Sequence, residues 1–234
     1  MDYARNAKYF QPTPSPKTII IFAVIGAILL ALMPPLGLLA IIIAIVVGII
    51  KYGGRPSDSE IDNQRDSFMN SLKEQAIKKL GIDEEEANIA PPLFLRGYSF
   101  GRSVLGDKAN MKLCDKLGKD KRWRSPECVL SAFFFTENEI HYYRKTISLV
   151  SDSYKDYTEE FFYTDIVSIK TDELERPWID PKTGEESKTL KSRTVGFMLR
   201  NTGGETTECE CSSTEEADNA VNAMRSLVRQ KKNA

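Results

Sequence analysis

Histidine is almost missing from this 234-residue chain: His141 is the only one, beside four cysteines and two tryptophans. A lone histidine excludes the H-E-x-x-H metalloprotease helix, and no Walker A loop, dinucleotide glycine fingerprint or EF-hand loop occurs either. Cys114, Cys128, Cys209 and Cys211 are too few in so long a chain for a disulfide framework and read as reduced thiols. A surplus of either charge is also lacking, since 32 Lys+Arg face 33 Asp+Glu for a net charge of −1. That balance gives no support to wholesale nucleic-acid binding.

Charge is absent altogether from Thr18 to Ile50, an apolar run broken at its centre by Met33-Pro34-Pro35-Leu36. The run exceeds the ~20 residues of one membrane helix, yet each half is shorter than that. Proline ends a helix and restricts the residue before it, so the expectation is a helical hairpin whose first arm stops at the double proline, with Gly37 helping the turn. The arms reach roughly 22–24 Å against a ~30 Å hydrocarbon core, which leaves two short spans or a re-entrant hairpin. Arg5, Lys8 and Lys17 before the run and Lys51 and Arg55 after it place both termini in the cytoplasm of a cell-membrane protein. Ala23, Ala27 and Ala31 on one arm, and Ala40, Ala44 and Gly48 on the other, recur every four residues as candidate helix-packing positions.

Four segments are expected: a polar N-terminus over 1–17, the transmembrane hairpin over 18–50, a hinge and amphipathic helical linker over 51–90, and a cytoplasmic domain over 91–234. Ser57 and Glu60 form a capping-box pattern opening a helix to about Leu80, and Gly81 fits its stop. Ile61, Phe68, Leu72, Ala76 and Leu80 make one apolar stripe, for packing on the parent domain or for a stalk between copies. From Pro91 the period changes to that of strands: 94–100, 129–135, 140–149, 160–171, 194–200 and 205–211. Ser213 or Thr214 caps a final helix to about Gln230, with Ala217, Ala220, Val221, Met224, Leu227 and Val228 as its buried face. Strands followed by a closing helix indicate an α+β fold.

Phe133-Phe134-Phe135-Thr136-Glu137-Asn138-Glu139-Ile140, then Phe162 to Ile169, then the Ser213-Thr214-Glu215-Glu216-Ala217 helix start, resemble bacterial pleckstrin-homology-like and GRAM-like domains. The resemblance covers roughly 91–232 and implies an antiparallel PH-like barrel or sandwich closed by the C-terminal helix. It further implies binding or scaffolding, with no particular ligand. A seventh strand is expected within the polar excursion from Asp172 to Arg193.

Gly97-Tyr98-Ser99-Phe100-Gly101 matches the G-x-S-x-G nucleophile pattern, but no βαβ context surrounds it, so a glycine-bent strand is expected. Cys209 and Cys211 share one strand face and read as small apolar core residues. The residues singled out for contact with a lipid surface or an acidic partner are Lys108, Lys112, Lys116, Lys119, Lys121, Arg122 and Arg124, with Trp123 among them. In PH-like domains the loop between the first two strands often meets lipid headgroups, and this segment takes the corresponding place. Trp178, in a long loop or protruding hairpin over 173–193 turned by Asp180-Pro181-Lys182-Thr183-Gly184, is a candidate anchor.

The resulting expectation is a non-enzymatic, membrane-anchored adaptor or scaffold with no catalytic residue, metal or cofactor. Its expected partners are the lipid bilayer and a protein, with a homo-oligomer possible and no nucleic acid. The alternatives are a membrane-shaping or pore-type assembly of hairpins and, last, a membrane-bound serine hydrolase through Ser99.

Overall fold

The Asp2 side chain accepts a hydrogen bond from Arg5 N and opens helix α1 (Tyr3–Phe10). These features come from a computed structural model that describes residues 1–12 and 16–232, except for the side chains of Thr18, Lys51 and Tyr52. The expected polar N-terminus is therefore partly a docked helix. Ala7, Tyr9 and Phe10 are buried, and Asn6 Nδ2 donates to Leu149 O at 2.7 Å. Residues 13–15 of that segment and 233–234 of the last domain lie outside the described residues, as does the side chain of Lys51 in the basic flank.

Helices α2 (Lys17–Leu32) and α3 (Pro34–Tyr52) do fold back on each other as a hairpin. Met33 alone turns the chain, and Pro34 and Pro35 occupy the first turn of α3, where a missing N–H costs nothing. The membrane expectation is corrected here: among the described residues, no helix is long and apolar enough to cross a membrane. The break at Met33 divides the apolar run so that α2, with 16 residues, rises roughly 24 Å, short of a ~30 Å core. The multi-pass, cell-membrane assignment, with termini placed by it, therefore lacks its spanning helices. Gly37 lies within α3 at the closest approach to α2, not in the turn. A Cβ there would lie 2.2 Å from Leu30 N.

Ala40 and Ala44 are buried against α2 and Gly48 is half-buried, whereas Ala23, Ala27 and Ala31 are exposed. The inward face of α2 is carried instead by Ile19, Phe22, Gly26 and Leu29, which are buried or half-buried at helical spacing.

The Ser57–Glu60 capping box forms and starts α4 (Asp58–Ser67). The single linker helix expected to Leu80 is interrupted by a 3-10 turn (Phe68–Ser71) before α5 (Leu72–Leu80), which Gly81 ends in the left-handed region at φ 73°. Ile61, Leu72 and Ala76 are fully buried in the core of the strand-bearing domain. The stripe packs on its parent domain.

A short 3-10 turn (Glu86–Asn88) leads to β1 (Leu93–Tyr98). One helical turn, α6 (Asp107–Asn110), and the two-residue strands β2 (Lys116–Leu117) and β3 (Trp123–Arg124) follow. Then come β4 (Glu127–Phe135), β5 (Glu139–Ser148), β6 (Tyr154–Phe162), β7 (Ile166–Ile179), β8 (Glu186–Asn201), β9 (Thr206–Cys211) and α7 (Thr214–Lys232). The long strands form two antiparallel sheets, β1-β4-β5-β6 and β7-β8-β9.

No barrel closes, because β6 and β7 are terminal strands of separate sheets. The α+β class stands without the barrel. Every residue of β4 is buried, since one face serves each of two cores. Leu130 and Phe134 join α1, α4 and α5, while Phe133 and Phe135 point the other way, toward Phe197, Cys209 and the α7 residues Ala220 and Met224.

Candidate functional site

The strand β7 continues through Pro177 and Trp178 to Ile179, and β8 begins at Glu186, so of the two readings of 173–193 the protruding hairpin holds, closed by residues 180–185, where Asp180 O accepts Gly184 N at 2.8 Å. Its tip faces the segment between β1 and β2. Between them lies a cleft of about 510 Å³, lined on one wall by Gly101 to Leu113 and on the other by Ile179 to Gly184.

Fixed electrostatics brace the cleft floor. Lys108 is 5% exposed, and its Nζ donates to Ser99 O at 2.9 Å and Gly101 O at 3.0 Å while forming an ion pair with Asp115 Oδ1. Trp178 Nε1 donates to Asp115 O at 3.0 Å, tying the β7–β8 hairpin to the same point. The loop above it wraps the buried Glu127 carboxylate, which accepts hydrogen bonds from Ser103 Oγ, Val104 N at 2.8 Å and Leu105 N at 3.3 Å. Those amides are satisfied internally. The walls then present Arg102, paired with Glu186, and the ammonium groups of Lys112 and Lys182, which have no partner among the described residues.

The basic segment thus splits by role. Lys108 and Arg124 are internal: Arg124 is 1% exposed and meets both oxygens of Asp62 (3.0 and 2.6 Å) and of Asp120 (2.9 and 2.7 Å). Side-chain hydrogen bonding to Arg124 holds the Asp120 carboxyl well below the usual carboxylate range. Lys116 lies over the Tyr9 ring at 3.9 Å, and burial lowers its pKa. Trp123 packs on the core beside α1. Lys112, Lys119, Lys121 and Arg122 are exposed.

Lys119 and the β2–β3 pair line a second cleft, of about 850 Å³, with Tyr9, Asp58, Asp62 and Asp120. Its carboxylates are spoken for by Arg124, by Tyr9 OH on Asp58 at 2.5 Å and by Lys119 N on Asp58 at 2.8 Å. Lys182 was missed from sequence because the turn Asp180–Gly184 reads as mobile loop chemistry, with nothing to show that it faces residues 70 positions earlier.

The G-x-S-x-G glycines have structural causes. Gly97 abuts β9, where a Cβ would lie 2.6 Å from Glu210 Cβ, and Gly101 adopts φ 78°. Ser99 is buried beside Lys108, Ser125 and Glu127, whereas His141 contacts Glu86, Glu139 and Glu160 at 3.4–3.8 Å. The structure does not bring Ser99 and His141 together. Both ring nitrogens of His141 are buried without a hydrogen-bond partner among the described residues.

Burial pushes the Cys114 and Cys209 thiols up to about 11 and Cys128 up to about 12, and raises Cys211 as well. A raised thiol stays protonated at neutral pH and is a poor nucleophile or ligand. Cys209 Sγ lies 3.2 Å from Tyr142 OH, while Cys114 and Cys128 donate to Phe10 O and Ile147 O, so the four do not converge. Among the described residues no group of three or more His, Cys, Asp or Glu could hold a metal ion.

No protein-family profile matches the chain, and no curated protein matches it. The geometry alone therefore bears on function.

Proposed function

We propose that this protein is a non-enzymatic recognition module that takes an acidic segment of a partner protein into the cleft between residues 101–113 and the β7–β8 turn. The observation that carries this reading is the pair of unpartnered ammonium groups, Lys112 and Lys182, on opposite walls of a cleft of about 510 Å³. That volume suits a few side chains of an extended peptide. A braced floor favours binding because little ordering entropy is left to lose. The PH-like resemblance is kept as a proposal beside it. Its support is the strand order β1-β4-β5-β6 and β7-β8-β9, followed by α7.

The test uses the full chain in a mild nonionic detergent, titrated into a fluorescein-labelled hexaglutamate peptide and a neutral hexaglutamine control. Saturable anisotropy with the acidic peptide, weakened at least tenfold by Lys112→Glu/Lys182→Glu and by added salt, is expected. Equal binding of both peptides, or of parent and variant, rejects the reading. Retention on phosphatidylserine vesicles that this double reversal removes, without peptide binding, reassigns the surface to lipid headgroups.

A further inference from the structure

Strand β6 ends its sheet, pairing with β5 alone among the described residues. Two hydrogen bonds that continue the β5–β6 register show which way its backbone faces: Ser148 N donates to Ser153 O at 3.0 Å, and Tyr163 N donates to Asn138 O at 3.4 Å. Both bonds use odd-numbered residues on the β6 side. Bonded and non-bonded positions alternate in an antiparallel ladder. The N–H and C=O groups of Tyr154, Asp156, Thr158, Glu160 and Phe162 therefore point away from β5, along an edge on which Tyr154, Tyr157 and Phe162 are 60%, 49% and 54% exposed. Such an edge is a template for another strand.

We propose that β6 pairs antiparallel with β6 of a second copy of this chain, about a two-fold axis at Tyr157. The charges of the strand select that register. With the axis at Tyr157, Lys155 of each copy stands opposite Glu159 of the other, Asp156 opposite Thr158, and Tyr154 opposite Glu160. No like charges meet. Moving the axis to Asp156 or Glu159 sets that carboxylate against its own copy, and moving it to Thr158 sets Asp156 against Glu160. Like charges directly opposed destabilise a strand pair and opposite charges support it.

The surroundings complete the match. Asp156 is already met by Lys79 Nζ at 3.0 Å and Tyr143 OH at 2.8 Å, so it enters the interface neutralised. Lys155 has no side-chain partner among the described residues. Glu159 accepts from Thr207 Oγ1 at 3.0 Å and from the Tyr157 hydroxyl beside it, which holds its carboxylate on the face where the facing lysine would stand. Lys155, Tyr157 and Glu159 sit at non-bonded positions of the new ladder, where facing side chains approach most closely. A closed two-fold pairing uses up the edge, whereas an open series of strands would propagate it.

The experiment uses the full chain in nonionic detergent, which covers the apolar hairpin. Facing Cα atoms at a non-bonded position are about 4.5 Å apart, within disulfide reach. Tyr157→Cys is therefore expected to form a disulfide-linked dimer under mild oxidation above the background of the parent, whose Cys128, Cys209 and Cys211 are buried and Cys114 half-buried. Thr158→Cys is expected to cross-link far less. Adding Lys155→Glu lowers the Tyr157→Cys yield at least tenfold, and adding Glu159→Lys as well restores it. Sedimentation equilibrium of the parent and the charge variants, with circular dichroism as the folding check, reports the same order without any cysteine. Parent-level cross-linking by Tyr157→Cys, equal yield from Thr158→Cys, or a dimer indifferent to Lys155→Glu overturns the proposal.

Discussion

Lys108 Nζ lies 2.8 Å from Asp115 Oδ1 with both side chains almost wholly buried, an ion pair sealed beneath the cleft. Its second oxygen, Asp115 Oδ2, accepts from Gly101 N at 3.2 Å and Ser192 Oγ at 3.4 Å. Removing one member of a buried pair strands the other charge, at a cost of about 3–5 kcal/mol. Lys108→Met is therefore expected to lose about that much stability in urea unfolding. Lys108→Met/Asp115→Asn keeps an acceptor for Gly101 N without the stranded charge and is expected to recover at least half. A single mutant as stable as the parent contradicts the buried pairing.

Asp120 gives a pH dependence of known sign. Arg124 lowers its folded-state pKa below the ordinary value of about 3.9, so the unfolded chain binds the proton first. The contribution is present above about pH 4 and disappears as the pH falls through the lowered value. Asp120→Asn is expected to lower the neutral plateau of a stability–pH curve and to converge on the parent at acid pH, so that its acid limb is flatter. An acid limb identical to the parent's would remove Asp120 as its source.

Gly97 faces Glu210 across the two sheets, and a Cβ would come within 2.7 Å of the Glu210 carbonyl carbon as well as its Cβ. Backbone cannot retreat as a flexible side chain does. Gly97→Ala is expected to cost about 1–3 kcal/mol through overpacking. Ser99→Ala, in the same pentapeptide, leaves peptide binding unchanged. Thermal unfolding of both variants and the anisotropy titration check the contrast.

These glycines show how much of the molecule is legible in sequence. The Ser57–Glu60 cap and the Gly81 stop rest on local patterns and form where those patterns place them, and the strand read at 129–135 is there, beginning two residues earlier at Glu127. The boundary between β6 and β7 does not show, because Tyr163–Asp165 turns the chain without glycine or proline, and 154–171 holds two strands where one run is read at 160–171. The outer arms of β7 and β8 read as loop or protruding hairpin for a different reason. Arg176 to Ile179 are all half-buried and Lys188 to Lys191 all exposed, so no alternation marks them. The basic segment misleads most, since one of the two carboxylates that meet Arg124 comes from Asp62, on another element. Which lysines are free is decided by tertiary partners, and the sequence holds no local record of those.

Gly37 sets the spacing of the apolar hairpin. A Cβ there would lie 2.2 Å from Leu30 N, 2.4 Å from Leu30 Cα and 2.8 Å from Gly26 O, so all three neighbours are backbone and none can rotate aside. Close approach of this kind brings Ala40 and Ala44 into contact with the facing helix, where dispersion between well-fitted surfaces holds the arms. Gly37→Val is expected to splay them. Nitroxide labels at Ile20→Cys and Ile49→Cys, in a Cys114→Ser background, report the separation at the open end, near which a Cβ on Gly48 would touch Ile19 Cδ1 at 3.8 Å. The distance distribution is expected to lengthen and broaden in Gly37→Val but not in Ala27→Val, because Ala27 points outward. If Gly37→Val left the distribution unchanged, the arms would be held together by something other than this glycine contact.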